Sequence, residues 1–163
     1  MEIKLMQGKV ATVDEKNADL ARLLWHCHEG YAARRGDCDK LEYLHRVVLA
    51  RELGRELEPG EQVDHIDRNT FDDRIENLRL ATNAQNGANQ GKQKGTCSSK
   101  YKGVCWYKRT KKWRAYIKVN GKQIHLGCFT DEMDAASAYD EAAMEYFGDF
   151  ANLNFPIEEE DLA

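Results

Sequence analysis

The 163-residue chain has no run of about 18 apolar residues, so no membrane span is expected. Its first residues, Met1-Glu2-Ile3-Lys4-Leu5, lack the apolar stretch of a secretion signal, which points to an intracellular protein that is not secreted. No Cys-x-x-Cys pair occurs. The five cysteines (Cys27, Cys38, Cys97, Cys105, Cys128) are scattered and odd in number, which speaks against a zinc ribbon and for free thiols in a reducing compartment. Charge is missing from two stretches in opposite senses. Residues 91–125 contain no acid and 11 basic residues, whereas residues 126–163 contain no basic residue and 11 acids. The net charge of −4 hides this segregation, and a polyanion responds to the local field rather than to the total.

What is present centres on Val63-Asp64-His65-Ile66-Asp67. His65 sits in a β-prone run, Gln62 to Ile66. A polar loop from Asp67 to Glu76 follows, then Asn77, a second β-prone run from Leu78 to Thr82, and a helix-type segment carrying Asn86. The layout reads strand, loop, strand, helix. These residue types suit hydrolysis of a phosphodiester, which needs a base to activate water and a cation to offset charge on the leaving oxygen. Histidine, with an ordinary pKa of about 6.5, accepts a proton near neutrality. Asp64 offers a carboxylate oxygen and Asn86 an amide oxygen, hard donors that suit Mg²⁺. Adjacent strand residues point to opposite faces, so Asp64 and His65 can share a site only if the strand twists where it enters the loop.

The order and spacing of Asp64-His65, Asn77 and Asn86 resemble the HNH nuclease motif, a ββα-metal finger, over roughly residues 43–90. The resemblance implies that His65, Asp64, Asn77 and Asn86 form the catalytic set. Asp64 and Asn86 would hold Mg²⁺ or another divalent cation, and Asn77 would tie the 67–76 loop so that it aims His65.

Before this region, Lys9 to Val13 reads as a strand, Asp14 to Leu24 as a short amphipathic helix, and Trp25 to Arg35 as a strand pair. Trp25-His26-Cys27-His28 invites a metal reading, but alternate strand residues diverge and no second ligand pair is evident. Tyr43 to Leu53 reads as a helix with Leu44, Val47, Val48 and Leu53 as its apolar stripe and Gly54 as its C-cap. It carries His45 and Arg46, where a packed histidine beside a phosphate-facing arginine and a catalytic role are both open. Arg68, Arg74 and Arg79 surround the motif and could reach phosphates. Gly87 to Lys100 reads as a flexible or DNA-tracking linker.

The last module alternates apolar and polar residues from Trp113 to Val119 and again from Lys122 to Leu126, joined by the hairpin signal Asn120-Gly121. Val104 to Tyr107 supplies a third strand. Cys105, Tyr107, Arg114, Tyr116, Lys118, Gln123 and His125 fall on the face opposite the apolar one. Thr130 can cap a helix ending at Phe147 before Gly148. Ala135, Ala138, Tyr139, Ala142, Ala143 and Tyr146 are expected on its sheet side, with the acids facing solvent.

Tyr101-Lys102-Gly103-Val104, Leu126-Gly127-Cys128-Phe129, Ala135 to Ala143 and Leu153-Asn154-Phe155-Pro156 resemble the plant ethylene-response-factor DNA-binding domain over roughly residues 100–156. That family lays a three-stranded sheet in the major groove. The resemblance, with the charges, implies duplex-DNA contacts from Tyr107, Arg109, Arg114, Tyr116, Lys118, Gln123, His125, Arg74 and Lys102. Cys105, Tyr107, Gln123 and His125 replace residues that contact DNA in that family, so the plant target sequence is not expected. Together the halves resemble phage and bacterial homing-type endonucleases.

The expected fold class is α+β: a ββα-metal finger with an N-terminal α/β extension, plus a three-stranded antiparallel sheet packed on one helix. The expected segments are an extension (1–42), the nuclease (43–90), a basic linker (91–99), the DNA-binding module (100–156) and an acidic tail (157–163). The expected activity is that of a Mg²⁺-dependent, site-preferring DNA nickase acting as a monomer or weak homodimer. The alternatives are a DNA-binding protein whose finger is only structural, and a phage DNA-packaging accessory nuclease that needs a partner.

Overall fold

A computed structural model describes residues 1–92 and 98–156 of the chain. These form a mixed α/β structure of small antiparallel sheets and a few helices. The acidic-tail expectation falls outside the described residues, as does most of the linker. The chain divides into two compact units, Met1–Asn83 and Ala84–Ala163.

In the first unit, β1 (Glu2–Lys4) pairs with β2 (Val10–Thr12), and a 3-10 helix follows at Glu15–Arg22. The expected α-helix at Asp14–Leu24 is therefore a tighter 3-10 turn. Its end is drawn inward by Trp25, which is 1% exposed and donates its indole N–H to the Leu20 carbonyl at 2.8 Å. A three-stranded sheet follows, with β3 (His26–His28), β4 (Tyr31–Arg35) and β5 (Leu41–Tyr43) in sequence order. The sequence pattern shows only the first two. α1 (Leu44–Leu53) ends at Gly54, whose φ of 65° is the left-handed C-cap that glycine supplies without strain. β6 (Gln62–His65) and β7 (Leu78–Ala81) form the hairpin of the motif, with a 3-10 turn at Ile75–Asn77 between them. Ile3, Leu5, Val13, Leu20, Trp25, Leu44, Val48, Val63 and Leu78 close one core. Residues from the extension, α1 and both hairpin strands thus share the same buried cluster.

α2 (Asn83–Asn89) begins at the boundary between the units and carries Asn86. It takes up Gly87 to Asn89, so the stretch expected as linker starts later than the composition implied. The second unit is a sheet ordered β10-β9-β8, with β8 at Val104–Tyr107, β9 at Lys112–Val119 and β10 at Lys122–Phe129. Asn120 and Gly121, both at positive φ, make the tight β9–β10 turn. α3 (Glu132–Phe147) packs on the sheet through Ala135, Ala136, Tyr139, Ala142 and Ala143. Its N-cap is Asp131, which accepts the Met133 N–H at 2.6 Å, one residue later than Thr130.

Two expectations about α3 are corrected. Tyr146 is 45% exposed, while its neighbour Phe147 packs against the core and Ala136 joins the buried face at the other end of the helix. Asp140, expected in solvent, is buried: one carboxylate oxygen accepts the Asn154 N–H at 2.8 Å and the other the Phe155 N–H at 2.8 Å. Asn154 then clasps the start of the sheet, accepting the Lys102 N–H at 2.6 Å and donating to the Lys102 carbonyl at 3.1 Å. Gly103 is required there, because its φ is +74° and a β-carbon would run into the Tyr139 ring and the Tyr116 carbonyl oxygen.

Candidate nuclease centre and nucleic-acid interface

The register of the hairpin sets the geometry of the motif. Asp64 pairs with Arg79 and His65 with Leu78, so the ladder runs regularly through both residues. Cross-strand partners share a face, which sets Asp64 beside Arg79 and His65 beside the core residue Leu78. Their side chains follow this alternation. Asp64 Oδ2 accepts from Arg79 Nε and lies 2.8 Å from its Nη2. His65 Nε2 lies 2.9 Å from Asp73 Oδ1. Both members of the second pair are buried, with side chains 4% and 1% exposed. Asp64 and His65 thus have different partners within the hairpin.

Asp73 carries no motif signal in the sequence. It reaches His65 because its loop is pinned at many points. Asn77 Oδ1 accepts the Asp67 N–H, and Asn77 Nδ2 donates to the Asp72 carbonyl, both at 2.9 Å. The Asn77 carbonyl accepts the Ile66 N–H at 2.9 Å. One asparagine therefore holds both ends of the loop. The N-terminal extension holds its outer side. Thr12 exchanges backbone bonds with Phe71 and Asp73 at 2.7 and 2.8 Å, and Asp14 Oδ2 accepts the Ile75 N–H at 2.8 Å. Thr70 donates to the Gly30 carbonyl at 2.7 Å. Residues 1–42 thus bear directly on the placement of Asp73.

His45, on the first turn of α1, completes the buried group. Its ring centroid is 5.2 Å from that of His65. Burial, reinforced by the charges of His65 and Arg46, pushes its pKa down to about 3, so the ring is neutral at physiological pH. Burial also raises the Asp73 carboxyl above the ordinary range, against the opposing pull of His65. Tyr31 and Tyr43 stack around these imidazoles, with Tyr43 5.6 Å from His45.

His45, His65 and Asp73 each offer a ligand atom, and these atoms all lie within 4.8 Å of one another, the one such group among the described residues. His45 Nδ1 and Asp73 Oδ2 are buried without a hydrogen-bond partner. Two buried lone-pair donors left unmatched fit a divalent cation. Arg74 is occupied on both sides, 2.6 Å from Asp72 and 2.5 Å from Glu76. Its guanidinium holds the Asp72 carboxyl below its usual range.

In the second unit the sheet face away from α3 carries Tyr107, Arg114, Tyr116, Lys118, Gln123 and His125, together with Cys105 and Cys128. Arg114 lies between Cys105 and Cys128 in the ladder, and a bulge after His125 brings Cys128 into that row. The Arg114 guanidinium sits 5.0 Å from the Tyr107 ring centre and that of Arg109 5.8 Å from it. Lys102 lies at the start of the same module. Its ammonium donates to the Ala88 and Gln90 carbonyls at the end of α2, at 2.5 and 2.7 Å.

A hairpin that presents Asp-His, a clamping asparagine and a following helix defines one class of domain. The three-stranded sheet on a single helix defines another. Residues 42–88 match the HNH endonuclease family, and residues 99–149 match the AP2 domain. Protein 3.8 of Escherichia phage T7 is 34% identical over 94 residues, covering 58% of this chain and 76% of that protein. The chain belongs to the HNH endonuclease family and carries an AP2 domain after its HNH domain. An HNH endonuclease of Acanthamoeba polyphaga mimivirus is 35% identical over 118 residues, covering 72% of this chain and 59% of the relative. The AP2-like ethylene-responsive transcription factor TOE2 of Arabidopsis thaliana is 48% identical over 67 residues, 40% of this chain and 14% of the plant protein. The chain thus spans about one seventh of the plant factors it matches. No helix among the described residues is long and apolar enough to cross a membrane.

Proposed function

We propose that the protein is a Mg²⁺-dependent DNA endonuclease of the homing type that nicks duplex DNA at preferred sites and is directed there by its AP2 domain. The observation that carries this reading is the buried His65–Asp73 pair, 2.9 Å apart, within the segment that matches HNH endonucleases. His65 takes the proton of the attacking water, and the Asp73 carboxylate beside it steadies the imidazolium that results. Asn77 holds the loop that carries Asp73. Asp64 and Asn86 would hold the cation. The cation supplies offset of the negative charge on the leaving oxygen. Because one such set cuts one strand, a monomer or weak homodimer is expected to nick.

In this reading residues 1–42 support the nuclease, 43–90 cut, 91–99 link, 100–156 bind DNA and 157–163 form an acidic tail. Arg109, Arg114 and Lys118 contact phosphates, and Tyr107, Tyr116, Gln123 and His125 contribute to the groove face. The protein acts inside the cell on duplex DNA. Incubation with supercoiled plasmid and Mg²⁺ tests the reading. Open-circle product that disappears with EDTA supports it. Retarded plasmid that stays supercoiled would leave only DNA binding.

A further inference from the structure

The proposed cation ligands, Asp64 and Asn86, do not include the donors that the fold has left unmatched. His45 Nδ1 and Asp73 Oδ2 have no hydrogen-bond partner, and their residues are 8% and 0% exposed. A buried polar atom without a partner is destabilising, so two on one cluster call for an explanation. Neither belongs to a chance surface grouping. His45 is fixed by α1, Asp73 by its backbone bond to Thr12, and His65 by the β6–β7 ladder. The donors therefore come preplaced from separate elements.

We infer that His45, His65 and Asp73 form a site for an imidazole-preferring divalent cation of the zinc class. Two imidazole nitrogens and one carboxylate oxygen, with a remaining position for water, are a donor set that zinc accepts. Mg²⁺ prefers an all-oxygen shell and suits this set poorly. The ligand atoms lie within 4.8 Å of one another, with His65 Nε2 and Asp73 Oδ1 2.9 Å apart; bonds of about 2.0–2.1 Å call for a spacing of about 3.3 Å, so side-chain adjustments on the order of 1 Å close the site. On binding, the cation takes the place of the hydrogen between His65 and Asp73, and the His65 ring stays neutral by carrying its proton on the nitrogen that does not face the cation. One consequence rests on the nuclease reading: a zinc-class ion here occupies His65 and stops it from accepting a proton from water, so it inhibits where Mg²⁺ activates.

The test is binding by the EDTA-stripped 163-residue chain in the absence of DNA, so its outcome is independent of any cutting. Co²⁺ is titrated by absorption, then displaced with Zn²⁺ and challenged with excess Mg²⁺. The expected result is a nitrogen- and oxygen-ligated cobalt spectrum that Zn²⁺ abolishes and Mg²⁺ leaves in place. His45→Ala and Asp73→Asn should each weaken binding by at least about a hundredfold, since loss of an outer-shell partner alone costs about 10–100-fold. Asp64→Asn should leave the affinity unchanged. Circular dichroism checks that each variant is folded; should His45→Ala fail, the nearly isosteric Asp73→Asn carries the test. Absence of cobalt binding, a thiolate-to-cobalt band that places the ion on cysteine, or affinity that ignores both substitutions would overturn the inference. Plasmid nicking with Mg²⁺ in zinc-free buffer separately reports on the nuclease reading.

Discussion

His65 and Asp73 lie eight positions apart in the chain and 2.9 Å apart in space, both buried. The loop between them is a clamped scaffold whose hydrogen bonds converge on Asn77 and on the first strands of the chain. In the proposed reading, activity and stability of the first unit depend on the same few residues.

His65→Ala should lower Mg²⁺-dependent plasmid nicking by at least about a hundredfold, the usual scale for a lost general base. DNA affinity, read by a mobility shift, should barely change. Nicking at the wild-type rate would take His65 out of the role proposed for it.

Asn77→Ala removes the acceptor for the Asp67 N–H and the donor to the Asp72 carbonyl. Chemical denaturation should show a loss of about 1–3 kcal/mol, the cost of leaving buried backbone groups unmatched. A variant that unfolds like wild type would show that the loop stands without this clamp.

Asp64 and Arg79 form a little-exposed ion pair across the hairpin, with side chains 4% and 18% exposed. Asp64→Ala should therefore cost stability as well as cation affinity, by about 1.5–3 kcal/mol for hydrogen bonds to a charged group. A double-mutant cycle with Arg79→Ala should recover much of that as coupling. Additive losses would mean that the two side chains are energetically independent.

Arg114→Ala and Lys118→Ala should each reduce the salt dependence of DNA affinity. On duplex DNA the log–log slope changes by about 0.9 for each phosphate that is no longer neutralised. A base contact would show instead as relaxed sequence preference at an unchanged slope. Affinity that ignores salt between about 50 and 200 mM would count against an electrostatic sheet face.

Asp140→Ala should free the Asn154 and Phe155 N–H groups that its carboxylate accepts. Hydrogen exchange at residues 153–155 should accelerate, and the AP2 domain should lose about 1–3 kcal/mol. Unchanged exchange would show that the apolar packing of Phe155 alone holds this segment.

The amino-acid order by itself determined whatever depends on local pattern. Alternation and Asn120-Gly121 fixed the β9–β10 hairpin, since side-chain period and turn chemistry are properties of neighbouring residues. The helical stripe and Gly54 fixed α1 and its end, and the fixed points around Asp64-His65, Asn77 and Asn86 marked the HNH segment. The charge pattern separated the basic sheet from the acidic helix for the same reason. Tertiary structure alone decided what depends on distant residues meeting. Asp73 carries no local signal, because one more aspartate in an acidic loop looks like a solvated charge. Its backbone bond to Thr12, from a distant strand, is among the contacts that hold it beside His65. His45 could be read in the sequence as packed or functional, and only the closure of α1 on the hairpin brought it within reach of His65 and Asp73. Asp140 looked like a surface acid on a helix, yet the returning C-terminal segment supplies two N–H groups that offset its burial. Charge, periodicity and turns are written locally, whereas burial and pairing depend on which parts of the chain exclude water together.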